Sequence, residues 1–196
     1  MRAGGGRGRT GVRRTPPVRL RRSLGLGRDA RLLFWGLFIF QLGFGLYGYL
    51  FTLYLESLGA TAFQIGMLIG VQGLLRIAVY IPAGIISDRL SRRKIILVTT
   101  LITVPAVLSF AVAQAWWQAL PGMLLIVMGN LGTPAFSSYL AEAGAETDRG
   151  RAFALVYMVG PSIALALSPV TGGWLADATS LRTIFYGSAV AYLLSA

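Results

Sequence analysis

The chain has 196 residues, 55% of them hydrophobic and only 13% charged, with a mean hydropathy of +0.67. That composition excludes an ordinary soluble domain and describes a polytopic membrane protein. Cysteine and histidine are both absent, which excludes disulfides, thiolate nucleophiles, histidine acid–base chemistry and Cys/His metal sites, and no cofactor is expected.

Residues 1–31 hold ten arginines against Asp29 alone, a balance of +9, so the formal +11 of the chain leaves +2 for the remaining 165 residues. The high charge is therefore a tail, rich in Gly and Arg and carrying Pro16-Pro17, and it reads as disordered. No aromatic residue alternates with its arginines, so no nucleic-acid partner is expected. Attraction to anionic lipid headgroups is the favoured role. The alternatives are a solvated arm that only enforces topology and an over-extended start of translation.

Apolar stretches long enough to cross about 30 Å of hydrocarbon follow at 32–55, 62–86, 95–114, 118–141 and 152–175, and a sixth begins near Thr183. They are too continuous for barrel strands. The expected fold is all-α: a membrane helix bundle with five complete transmembrane helices and a partial sixth. The fourteen residues from Thr183 to Ala196 span about 21 Å as a helix, and the reading is of an apparently truncated chain.

Charge sets the expected orientation. The tail, Arg89 to Lys94 and Arg149 to Arg151 together place sixteen Lys or Arg on one side, with Arg182 alone on the other. Basic segments stay cytoplasmic, so the N-terminus is expected in the cytoplasm and the protein in the plasma membrane. Trp116 and Trp117 fall where an outer aromatic belt belongs.

Within the second stretch, Gln72, Arg76 and Tyr80 recur every four residues and share a face. Arg76 lies about 15 Å from the cytoplasmic helix end, too deep to reach water easily, and a charge there is tolerated only beside water or a partner. Helix one offers Gln41 with Gly45, Gly48 and Thr52, and helix four offers Asn130 with Thr133 and Ser137. Arg76, Gln72, Tyr80, Gln41 and Asn130 are thus the expected lining of a solute pocket, with interhelical hydrogen bonding as the plainer role for the amides. No Asp or Glu lies within any of the stretches, so the partner of Arg76 is expected on an anionic solute or another segment.

The run from Gly84 to Lys94 packs four cations and one acid into seven residues. Gly84, Asp88, Arg89, Arg92 and Arg93 match in spacing a loop pattern G-x-L-A-D-R-x-G-R-R/K, with Ile86, Ser87 and Ser91 departing from it. The run resembles the signature loop of the major facilitator superfamily. Phe63-Gln64-Ile65-Gly66, Glu142 and Arg149-Gly150-Arg151-Ala152 are similar to that family too. The resemblance implies an N-terminal six-helix half over 32–196, whose C-terminal half is absent from this sequence. It implies that Asp88 meets a helix dipole of that other half, and that Arg92 pairs with Glu142. It implies secondary transport of a small solute by alternating access. A second pattern, of the fifth helix of proton-coupled antiporters, is matched only at Pro169, Gly172 and Gly173, with Ser168, Leu155 and Ala164 departing. It tilts the direction toward efflux, while close helix packing explains the same small residues.

Two other classes stand beside transport: a non-transporting remnant or assembly partner for another membrane protein, and an intramembrane enzyme. The absence of His, Cys or an acid pair from the stretches argues against the enzyme, and no phosphate-binding G-x-x-x-x-G-K-[ST] run occurs.

Overall fold

The computed structural model describes residues 28–89, 91–143 and 149–196, with residues 84–89, 143 and 149 described by backbone alone. The arginine-rich segment 1–27 lies outside the described residues. Nine α-helices are described: α1 Arg28–Gly48, α2 Phe51–Ser57, α3 Ala62–Arg89, α4 Arg92–Val112, α5 Leu120–Gly129, α6 Gly132–Ala143, α7 Arg149–Phe153, α8 Gly160–Ala178 and α9 Thr183–Ser195. Five segments are long and apolar enough to span a bilayer, and α9 is a shorter apolar helix. No strand occurs among the described residues. The molecule is a helical membrane bundle.

Three of the expected spans are interrupted or shifted. The first is broken at Tyr49-Leu50 between α1 and α2, and the fourth at Asn130-Leu131 between α5 and α6. The fifth contains a π-helical turn, Ala154–Val159. The cause of the turn is Pro161, whose missing N–H leaves the Tyr157 carbonyl without a helical donor, so the ladder widens and Gly160 N–H bonds Leu155 instead. The basic run expected as a loop is mostly helix: α3 continues to Arg89 and α4 restarts at Arg92.

Local signals explain the turn before α3. Gly59 adopts φ +87°, a conformation only glycine enters without strain. Its N–H bonds Glu56 and the next N–H, of Ala60, bonds Leu55, at 2.9 and 3.1 Å, which closes α2 in a Schellman turn. Thr61 and Gln64 then form a reciprocal capping box: Thr61 N–H to Gln64 Oε1 at 2.8 Å and Gln64 N–H to Thr61 Oγ1 at 3.3 Å. Thr61→Ala is expected to lower stability by about 1 kcal/mol, read as a lower midpoint in thermal unfolding, with Thr61→Ser close to the parent.

Counting the crossings one to six, α1 packs on α8 and α9, α4 on α5, α6 and α9, and α3 on α5 and α6. Exchanging crossings one with four, two with five and three with six maps this set of pairs onto itself, the symmetry of two three-helix repeats. The α4 crossing is central, with 39% of its apolar window buried, whereas α3 is peripheral with 11%.

Two apolar clusters hold the ends. At one end Tyr47, Tyr54 and Phe110 each meet the Phe185 ring, and Tyr192 joins the same cluster with its ring on Phe40. There Tyr54 Oη donates to the Phe110 carbonyl, and Arg182 Nη2 reaches the Ala113 carbonyl at 2.9 Å, a cation on the carbonyl end of α4. Ala30, Leu33, Leu140, Ala152 and Val156 form the smaller cluster at the arginine-bearing end.

Candidate functional site

A cavity of about 800 Å3 runs beside α1 and is bordered by α4, α6 and α9. It borders α1 from Arg28 to Tyr47, about 28 Å of helix. Leu37, Phe40, Phe44 and Phe136 form apolar wall. Tyr47 and Tyr192, both buried, meet hydroxyl to hydroxyl at 3.3 Å and belong at once to the cavity wall and the aromatic cluster. The α9 side ends in Ser195 and Ala196. The volume falls in the range of small-molecule sites, roughly 300–1,000 Å3.

The structure brings Gln41, Arg76 and Asn130 to this one cavity. Gln72 and Tyr80 are not brought there. Gln72 instead lines a small apolar crevice between α3 and α5, and Tyr80 is 40% exposed. The reason is helical drift: each step of four residues turns about 40°, so a stripe of three such residues spreads over about 80° and only its middle member faces the cavity. Gly45 likewise turns to α8, where it meets Ser168, rather than to the cavity. Gly84, Asp88 and Arg89 lie on helical backbone, and their side chains lie outside the described residues.

Arg76 is exposed and forms no ion pair among the described residues. Asn130 sits in the break of crossing four, at the mouth of α6. Its side-chain nitrogen is buried and has no hydrogen-bond partner among the described residues, an arrangement native folds rarely leave without a purpose. Two glycines flank the break and let α5 and α6 press against α4: a Cβ at Gly129 would lie 2.7 Å from Thr103 Cγ2, and one at Gly132 would lie 3.1 Å from Thr99 Cβ.

The arginine-bearing end holds two charged clasps. Arg92 pairs with Glu142 and also reaches the Ser138 carbonyl at 3.4 Å, tying α4 to the last turn of α6. Arg93 donates from Nε to Tyr139 Oη at 2.7 Å, lies over the Tyr139 ring at 5.3 Å, and pairs with Asp29 at 3.5 Å. Tyr139 Oη in turn lies 3.4 Å from Asp29 Oδ2, so α1, α4 and α6 meet through three side chains at the cavity's edge. Asp29 and Tyr139 were not legible as site residues. The one signal for Asp29 was its being the sole acid in a basic tail; Tyr139 gave none. Arg92 and Glu142 side chains are 32% and 65% exposed, and exposed pairs couple by about 1 kcal/mol or less. A double-mutant cycle with Arg92→Ala and Glu142→Ala on thermal stability is expected to return a coupling no larger than that.

Among sequence families, the Major Facilitator Superfamily model matches residues 33–196. This chain belongs to that superfamily. An uncharacterised MFS-type transporter of Methanocaldococcus jannaschii is 27% identical over 158 residues, 76% of this chain and 39% of the relative. YhjO of Bacillus subtilis, also an uncharacterised MFS-type transporter, is 30% identical over 147 residues, 72% of this chain and 36% of the relative. The multidrug resistance protein MdtH of Cronobacter sakazakii is 29% identical over 123 residues, 62% of this chain and 30% of the relative. The chain thus spans less than two-fifths of the length of these relatives. A Major Facilitator Superfamily member is a multi-pass transporter rather than an enzyme.

Proposed function

We propose that residues 32–196 are the N-terminal half of a secondary transporter that moves a small anionic solute by alternating access. The single observation that carries this reading is the cavity that gathers Gln41, Arg76 and Asn130 beside an otherwise apolar wall. A guanidinium near the centre of a spanning helix is stable only if water, a carboxylate or an anionic ligand faces it. Superfamily membership supports alternating access, in which two halves rock about a site near the midplane. The peripheral α3 supports a second half: Leu74, Ile77 and Ile81 are 63–72% exposed on the helix that carries Arg76. The C-terminal half is the proposed cover for that side.

We place the arginine-bearing end in the cytoplasm and the protein in the plasma membrane, because the sequence segments 1–31, 89–94 and 149–151 carry sixteen of the basic residues and Arg182 is at the other end. In this orientation the cavity edge at Asp29, Arg93 and Tyr139 is cytoplasmic, and Tyr47 with Tyr192 closes the outer side. The tail is proposed to lie along anionic headgroups. Efflux is the proposed direction, supported by Pro169, Gly172 and Gly173 and by the name of one relative as a multidrug resistance protein.

Counterflow tests the transport reading without knowledge of the coupling ion. Proteoliposomes carrying the complete gene product are preloaded with millimolar unlabelled naphthalene-2-sulfonate, its neutral sulfonamide, or 2-naphthyltrimethylammonium, and uptake of the labelled probe is followed. A transient overshoot with at least one probe is the expected result. Its absence with all three removes the transport reading.

A further inference from the structure

We infer that Arg76 and the Asn130 amide together form the head-group subsite for an amphiphilic organic anion, a carboxylate or sulfonate carried on an apolar body. The inference rests on the transport reading above and assigns its substrate class. Two independent features of the cavity point the same way. Arg76 brings up to five N–H donors and no acceptor, and no carboxylate pairs with it among the described residues. The Asn130 side-chain nitrogen is a buried donor lacking a protein acceptor, which costs free energy until an acceptor arrives.

At this depth the cavity offers donors in excess. Its acidic lining residue, Asp29, is at the charged end and is engaged by Arg93 and Tyr139. A cation would meet Arg76 without a counter-charge. A small inorganic anion would be held at the head but would leave Leu37, Phe40, Phe44 and Phe136 uncovered. An apolar body of ring or short-chain size buries against those side chains.

The test is equilibrium dialysis of the same three naphthyl probes against the chain in neutral phosphatidylcholine nanodiscs. The sulfonate is expected to bind saturably and at least about tenfold more tightly than the sulfonamide, the effect of one charge-assisted hydrogen bond. Arg76→Gln and Asn130→Leu are each expected to weaken it by about tenfold or more, on the same reasoning. Asn130→Asp is expected to shift preference toward the trimethylammonium probe. Because Asn130→Leu removes a buried donor without a partner, its thermal midpoint is expected to hold or rise while binding falls. A merely structural asparagine gives the opposite pair of results. Preference for the amide or the ammonium in the parent overturns the anion assignment while leaving transport standing. Sulfonate binding that is indifferent to Asn130→Leu overturns the two-residue subsite. Loss of counterflow with every probe is the separate failure of the transport reading.

Discussion

Gly172→Ala is expected to unseat α8 from α1, while the same change one residue on, Gly173→Ala, is tolerated. A Cβ at Gly172 would fall inside contact distance of the Leu46 carbonyl oxygen, with the carbonyl carbon at 3.0 Å and Cα at 3.1 Å. These are backbone atoms, so no rotamer change relieves the clash and the two helices must separate. From the other side, a Cβ at Gly45 would lie 2.9 Å from Ser168 Cβ and closer still to its hydroxyl. Each helix therefore presents a small residue to the other, the usual way for membrane helices to approach closely. Overpacking of this kind costs about 1–3 kcal/mol and more where backbone blocks relaxation. At Gly173 nothing lies within 4 Å, and alanine gains up to about 1 kcal/mol in helix propensity. Thermal unfolding in detergent, followed by circular dichroism, is expected to show a markedly lower midpoint for Gly172→Ala and an equal or higher one for Gly173→Ala. Equal midpoints for the pair would remove the close-approach argument. The contrast also separates packing from antiporter chemistry, since both glycines belong to the fifth-helix pattern and only one is pressed against a neighbour.

Arg76→Gln is expected to cut counterflow of the sulfonate by about 10- to 100-fold, the range for losing a charge-assisted hydrogen bond worth about 1.5–3 kcal/mol. Arg76→Lys is expected to keep part of the rate, because the charge remains and the planar fork is lost. Arg76 is the fifteenth of the 28 residues of α3, near the middle of the helix. A structural role would make its removal destabilising. A ligand role makes the reverse prediction: Arg76→Leu removes a charge that costs several kcal/mol at depth without a partner, so the folded bundle holds or gains stability while counterflow disappears. Unchanged counterflow in Arg76→Gln would refute the assignment of Arg76 to the solute path while leaving superfamily membership untouched. Measuring rate and thermal midpoint on the same preparations decides between the two roles.

These results also explain why some of the site was legible in the chain and some was not. The spans followed from residue chemistry, because twenty apolar residues have one low-energy state in hydrocarbon, and the family was suggested by resemblance in the run from Gly84 to Lys94. Arg92 and Glu142 were suggested by resemblance, and their side chains meet at the charged end. The cavity-lining set followed less well. Periodicity placed Gln72, Arg76 and Tyr80 together, but a face 80° wide is broader than the opening between three neighbouring helices, and Gln72 went to a crevice of its own.

What the chain alone determined, then, was the solvent and the architecture: lipid around six helical segments, a basic end, and the kinship written in Gly84 to Lys94. Only the packed bundle decided which polar groups share a space. Asp29, Arg93 and Tyr139 are separated by up to 110 positions and acquire a common neighbourhood only when α1, α4 and α6 converge. The break at Asn130 and the π turn before Pro161 were equally invisible as departures from a continuous apolar run. Hydropathy reports how each segment partitions, a property summed residue by residue. Adjacency between segments depends on which small residues let backbones approach, a property of pairs, and pairs exist only in the folded molecule.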